Sequence, residues 1–433
     1  MTQVVPASEG HVFHNRMTHS LKVAQVARRL CERILKVYSS SSGIDLIRAL
    51  GGLDPDVAEC AALLHDIGHP PFGHAAEYEL QDCFKQRRIF DGFEGNAQSF
   101  RVASKISSRD PEYPGLDLTA ASLCGLLKYP WRREGDEGTA HSVKFGYYES
   151  ESDDFGHARG FLDKDERKSL EAEIMDWADD VTYAVHDLED SFRAGMIPLD
   201  QLVMGTSERN RFIDWYVEFD AKRIAEKEKT QPAYKSRLDL ERSKAPAKRN
   251  ELNAFFDAQR DLIPYPVIRE PFPNTRRSRG LLQRYAGFLI GLFLRVGNDS
   301  VSLGEPSANE PRLRIEKWVR SEVRILKSLM IYYVYDHPAL VAQQLGQRGI
   351  IRTLFDALFN ACDNQAVFAG IVPSPFREER DRICNLTNEA ERNRMMGRLA
   401  ADIICSMTEQ QAVQFHARVM GTTPGSVREV IVH

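Results

Sequence analysis

Apolar positions recur at helical spacing through most of the chain, and the strict alternation expected of half-buried strands is scarce. Over residues 17–37, Val23, Val26, Ala27, Leu30 and Ile34 form one buried stripe. Asp54 and Pro55 read as an N-cap followed by proline at the first helical position. Gly68, Pro70 and Pro71 form a stop, so the pattern predicts a helix over 55–67. The longest stripe is Leu170, Ile174, Trp177, Ala178, Val181, Val185, Leu188 and Phe192. With Ser169 before it and Gly195 after it, a helix over 169–194 is predicted. Residues 281–433 return to the helical period, with breaks at Gly304–Pro311 and Pro373–Pro375. The segment from Arg132 to Asp163 is rich in glycine and acids and reads as an exposed loop and candidate lid. The pattern as a whole predicts an all-α chain.

Length and composition narrow this picture. At 433 residues the chain is long enough for one large helical body or for several units. The pattern divides into a core over 1–200, a connector over 201–280 and a C-terminal helical region over 281–433. The formal charge of −5 excludes a global polycation, so affinity for nucleic acid or a membrane surface must come from a local patch. One such patch exists: residues 222–249 hold ten Lys or Arg against four Asp or Glu. Seven scattered cysteines without a C-x-x-C motif suit a reducing compartment, and a cytoplasmic location is expected. No apolar run approaches the roughly 18 residues of a membrane span, and Ala286–Leu294 reads as a buried helix segment.

Histidine is distributed unevenly. Six of the twelve lie within the first 74 residues, and His65, His69 and His74 share thirteen residues with Asp66 and Glu77. His65 continues the Ala58, Ala61, Ala62 stripe, so it points inward from a helix end. Asp66 follows where the backbone no longer holds consecutive side chains apart, and imidazole and carboxylate can reach one ion. His19, at the start of the first helix, and Asp179, on the long one, are candidates for the remaining ligands. Asp179, Tyr183, His186, Asp187 and Asp190 form a polar stripe beside the apolar one. A charged helix face is ordinarily solvated, but Tyr and His among the aspartates predict the wall of a polar cleft. From the residues alone, His69 and His74 are equal candidates for proton transfer.

Several long segments, in order, resemble the HD-domain deoxynucleoside triphosphate triphosphohydrolases of the dGTPase type. They are TQVV (2–5), NRMTHSLKVAQ (15–25), HDIGHPPFGHAAE (65–77), FEGNAQ (93–98), LLKYP (126–130) and ADDVTYAVHDLED (178–190). The family usually carries a further helix and a Lys-Thr-Gln-Val run at the position where this chain starts. The resemblance implies an HD-domain helical core with additional C-terminal helices. It implies His19, His65, Asp66 and Asp179 as ligands of a divalent ion (Mn, Mg, Fe, Co or Ni), and His74 with Glu77 as the catalytic pair. It implies Arg16 as a phosphate clamp; His69 is expected to contact phosphate, Lys128 and Lys144 are further proposals for the same task, and Asn96 is a further substrate-binding candidate. It sets Tyr183 against the deoxyribose and Asp187 on the 3′-hydroxyl, and puts Gln3 and Val4 near sugar and base. One departure concerns Asp180: the human member of the family has a phosphate-binding lysine directly after the last metal ligand.

The implied reaction is attack of water at the α-phosphorus of a dNTP, with deoxynucleoside and inorganic triphosphate as products. The implied assembly is a homo-oligomer, from dimer to hexamer. The basic stretch 222–249 is open to three interpretations: a solvated helical surface, a single-stranded nucleic-acid site, or an effector dNTP site between subunits. The rival classes are an HD phosphodiesterase or nucleotidase acting on other nucleotides and a nucleic-acid-binding protein on an HD scaffold. FEGNAQ and ADDVTY speak against the first, and the full ligand set with His74 and Glu77 against the second.

Overall fold

The computed structural model describes residues 16–134, 140–162, 167–230, 245–264, 272–297, 300–306, 310–335, 337–362 and 369–423. Among them the fold is helical apart from one small antiparallel hairpin, Val301–Leu303 paired with Leu313–Ile315. That hairpin closes over the predicted break at Gly304–Pro311, and Gly304 is held against the Pro311 carbonyl where a Cβ would collide.

Among the described residues nine α-helices build the N-terminal half: α1 Arg16–Val37, α2 Ser41–Ala49, α3 Pro55–Leu64, α4 His74–Gln86, α5 Gly95–Arg101, α6 Ala120–Leu126, α7 Ala140–Val143, α8 Ser152–Arg159 and α9 Leu170–Arg193. α3 begins where the sequence predicts, with the Asp54 carboxylate accepting from the Asp56 amide and proline in the first turn. It ends at Leu64, and residues 65–68 continue as turns. Its buried face is Ala58, Ala61 and Ala62, small enough for α1, α6 and α9 to approach closely. α9 is capped by the Ser169 hydroxyl on the Ala172 amide and stops at Gly195, whose φ of +72° suits glycine.

Among the described residues four apolar clusters result, two of them large. The larger centres on α1, α3 and α9 and takes in Tyr216, Phe256, Leu289 and Leu329 from further along the chain, so side chains from all three sequence segments meet in it. The second joins α4 to the C-terminal helices Pro338–Ala361 and Glu389–Cys405 through Phe84, Phe355, Leu358 and Ile403. Residues 132–163 differ from the expected open loop. Within them α8 packs against α6, and Phe145, Tyr148, Glu151 and Ala158 are buried. The strong acidic bias masked this because α8 is short and buries a single residue, Ala158. The described part is therefore a packed layer rather than a lid.

Candidate active site

Two helix termini and the middle of a third helix bring the first group of candidate ligating atoms together. His19 lies one turn into α1, His65 and Asp66 leave the end of α3, and Asp179 sits on α9. His19 Nε2 is 3.1 Å from Asp179 Oδ1. His65 Nε2 is 3.5 Å from Asp66 Oδ1 and 3.6 Å from Asp179 Oδ1. The His65 Nδ1–H donates to the Ala62 carbonyl at 2.7 Å, which turns the Nε2 lone pair inward. That buried Nε2 has no hydrogen-bond partner. A lone pair facing two carboxylates is repulsive unless a proton or a cation lies between them. The residues therefore fit a divalent metal, and His19, His65 and Asp66 already converge closely enough to hold one.

Electrostatics agree with the geometry. Burial disfavours a charged His65, but Asp66 and Asp179 outweigh it and raise its pKa to about 9. Burial likewise works against the Asp66 and Asp179 carboxylates, yet His65 with His69 beside the first, and Lys128 with His65 beside the second, hold both below the usual carboxylate range. Lys128 Nζ is 3.3 Å from Asp179 Oδ2 and 2.8 Å from Asp176 Oδ1.

A second group adjoins the first. His74 Nδ1 donates to Glu77 Oε2 at 2.8 Å across one turn of α4, and the two share a cluster with His69. The double proline and a left-handed turn at Phe72 (φ +69°) and Gly73 (φ +58°) start that helix at His74; the buried Phe72 ring anchors the turn. Glu77 Oε1 accepts from the Gly95 amide at 3.0 Å and lies 3.3 Å from Lys144 Nζ. Burial opposes the Glu77 charge, but the hydrogen bond from His74 and the nearby His69 and Lys144 lower its pKa. Burial drives the His69 pKa down, against the opposing pull of Asp66 and Glu77.

The Phe93–Gln98 segment explains itself here. Glu94 caps α5 by accepting from the Asn96 and Ala97 amides, and Lys144 Nζ binds it at 2.7 Å. Gly95 lies flat against the His69 ring, where a Cβ would come within 2.8 Å of Nε2. Ser99 accepts the Gly68 amide and donates to the His65 carbonyl. Helix α5 thus clamps the His65–His69 loop. Glu94 is a residue that the sequence pattern did not single out, although its place before a glycine and a helix is an N-cap signal.

The remaining candidates are placed as follows. Arg16 donates to the His69 and Pro70 carbonyls at 2.6 and 2.8 Å, bracing that loop. The Asn96 amide donates to Glu94 Oε1 at 2.9 Å. Tyr183 and the buried Asp187 lie one and two turns beyond Asp179 on α9. Gln3 and Val4 lie outside the described residues, as does 231–244 of the basic stretch. Within that stretch Arg223 and Lys248 pair with Asp220, and Arg249 with Asp214.

Fold and cluster together define a helical protein built around a histidine and aspartate cluster that could hold a metal ion. Residues 16–184 match the HD domain and residues 313–418 the phosphohydrolase-associated domain. A deoxyguanosinetriphosphate triphosphohydrolase-like protein of Corynebacterium efficiens is 33% identical over 82% of this chain and 75% of its own length. Proteins described in the same words from Streptomyces coelicolor (30% identical, 97% of this chain, 88% of the relative) and Brucella suis (28%, 98% and 85%) are similar over nearly the whole chain. The chain belongs to this family of HD-domain, deoxyguanosinetriphosphate triphosphohydrolase-like proteins.

Proposed function

We propose that the protein is a metal-dependent triphosphohydrolase of deoxynucleoside triphosphates. The observation that carries this reading is the convergence of His19, His65, Asp66 and Asp179 around an inward, unpartnered imidazole nitrogen, next to the His74–Glu77 pair. His19, His65, Asp66 and Asp179 would hold the divalent ion, which when bound supplies Lewis acidity and a water of lowered pKa.

The chain's own residues supply positioning and proton transfer. Glu77 accepts from His74 Nδ1–H, which leaves Nε2 of that ring, on a side chain 67% exposed, able to take or give a proton. Water oxygen bonds to the α-phosphorus, the bond from phosphorus to the 5′ oxygen breaks, and that oxygen leaves with a proton as the deoxynucleoside hydroxyl. Triphosphate departs intact. His69, Lys128, Lys144 and Arg16 surround the polyphosphate, with Asn96 at the cap of α5. Tyr183 and Asp187 face the sugar; Gln3 and Val4 lie outside the described residues, and their assignment to sugar and base comes from the sequence resemblance. The names of the relatives support the substrate class.

Chromatography of the products from the four dNTPs and GTP tests the reading. Deoxynucleoside and triphosphate are expected; dGMP and pyrophosphate from dGTP would overturn it.

A further inference from the structure

The helix Lys317–Met330, within the phosphohydrolase-associated match, packs against α9 and brings one cation to the site. Lys327 Nζ is 2.5 Å from Asp180 Oδ1, the carboxylate directly after the proposed ligand Asp179, and stands 5.2 Å from the centre of the Tyr183 ring. Lys327 therefore spans two residues of α9 that border the metal cluster. On its far side Asp180 lines a cavity of about 410 Å³, together with Asp176, Trp131, Lys168 and Arg320.

We propose that Lys327 is a substrate-contacting residue, a cation that the C-terminal module lends to the HD core to bind the polyphosphate of the nucleotide. The inference rests on the triphosphohydrolase reading of this same site. Three observations support it. First, the lysine and aspartate side chains remain 33% and 36% exposed, so their pair is a weak, solvent-screened one and yields readily to a polyanion. Second, a carboxylate next to a metal ligand would repel that polyanion; the Lys327 ammonium neutralises it and presents further N–H donors. Third, the other cations assigned to the polyphosphate each share their charge with two chain partners, Lys128 with Asp176 and Asp179, Lys144 with Glu77 and Glu94, and Arg16 with two carbonyls. Lys327 is held by one exposed carboxylate and one ring face, the loosest attachment of the four.

The test compares the unaltered protein with Lys327→Ala, Lys327→Arg and, as a control on the exposed start of the same helix, Lys317→Ala. The readouts are KM and kcat for the best dNTP, and inhibition by inorganic triphosphate measured at two salt concentrations. Loss of one charge-assisted contact predicts that Lys327→Ala raises KM and the triphosphate inhibition constant roughly tenfold, with kcat changed less than about threefold. Lys327→Arg restores most of the loss, and Lys317→Ala matches the unaltered protein. The Lys327→Ala protein also shows a shallower salt dependence of triphosphate inhibition. An inhibition constant within twofold of the unaltered protein, with triphosphate still the product, overturns the role of Lys327 alone. Release of pyrophosphate by the unaltered protein overturns the reaction itself, and triphosphate inhibition then still scores Lys327.

Discussion

Two buried charged clusters adjoin α5, one at its Arg101 end and one on the His65–His69 loop that it clamps, and they are solved in different ways. At the first, Arg101 donates through Nε and Nη2 to Asp402 at 3.0 and 2.8 Å and through Nη1 to Glu151 at 2.6 Å, while Gln98 Nε2 adds 2.7 Å to Asp402. Every charge there meets an opposite charge from the chain. Across the clamped loop Asp66 and Asp179 converge on His65 Nε2, which has no hydrogen-bond partner; His19 reaches Asp179, and Lys128, shared with Asp176, lies within ion-pair distance of it. A buried carboxylate pair that the chain balances incompletely costs stability unless a cation completes it. The first cluster is closed and holds the HD core to the C-terminal helices. The second is open and shaped for a guest.

The largest effects should come from the open cluster. Asp66→Ala or His65→Ala is expected to abolish both metal retention and turnover, measured by elemental analysis alongside product release. Full activity in either variant would break the contrast between the clusters. His74→Asn comes next. It removes the proton carrier but no proposed ligand, so kcat should fall by roughly 10²–10⁴ while bound metal stays at the wild-type level. Loss of metal in that variant would merge the two histidine groups into one.

In the closed cluster the expected effect is on folding. Asp402→Ala strands the Arg101 guanidinium, which is only 9% exposed, beside Glu151 alone. Breaking a buried pair by removing one partner costs about 3–5 kcal/mol, readable by urea unfolding. The triple variant Arg101→Met, Glu151→Leu and Asp402→Leu removes all three charges and should recover much of that loss. Equal destabilisation in the single and triple variants would show that packing, not charge, governs this end of α5.

How far the sequence shows each cluster follows from distance along the chain. His65 and Asp66 are neighbours after a capped, alanine-striped helix, and His74 and Glu77 share one turn, so spacing alone draws attention to them. Helices α1 and α9 also lie where their stripes and caps predict. Gln98 and Asp402 are 304 residues apart, and Asp180 and Lys327 are 147 apart; no local period links such pairs. Burial of Glu151 inside an acidic stretch is hidden for the same reason, since its partner Arg101 lies 50 residues earlier.

The smallest effect concerns protons, and it separates the clusters without any mutation. In the metal-free protein Asp66 and Asp179 raise the His65 pKa to about 9 despite burial, whereas an unfolded histidine titrates near 6.5. A raised folded-state pKa adds stability that is fully present below about 6.5 and is lost as pH rises through about 9. The same proton occupies the nitrogen that a metal needs, so binding must expel it. Apparent affinity for a divalent ion should therefore rise about tenfold per pH unit between about 7 and 9 and flatten above, as followed by titration calorimetry in buffers of different ionisation enthalpy. Metal added at pH 8 should raise the melting temperature even as the proton's own contribution fades. An affinity independent of pH across that window would mean that His65 Nε2 does not ligate, leaving the second cluster as closed as the first.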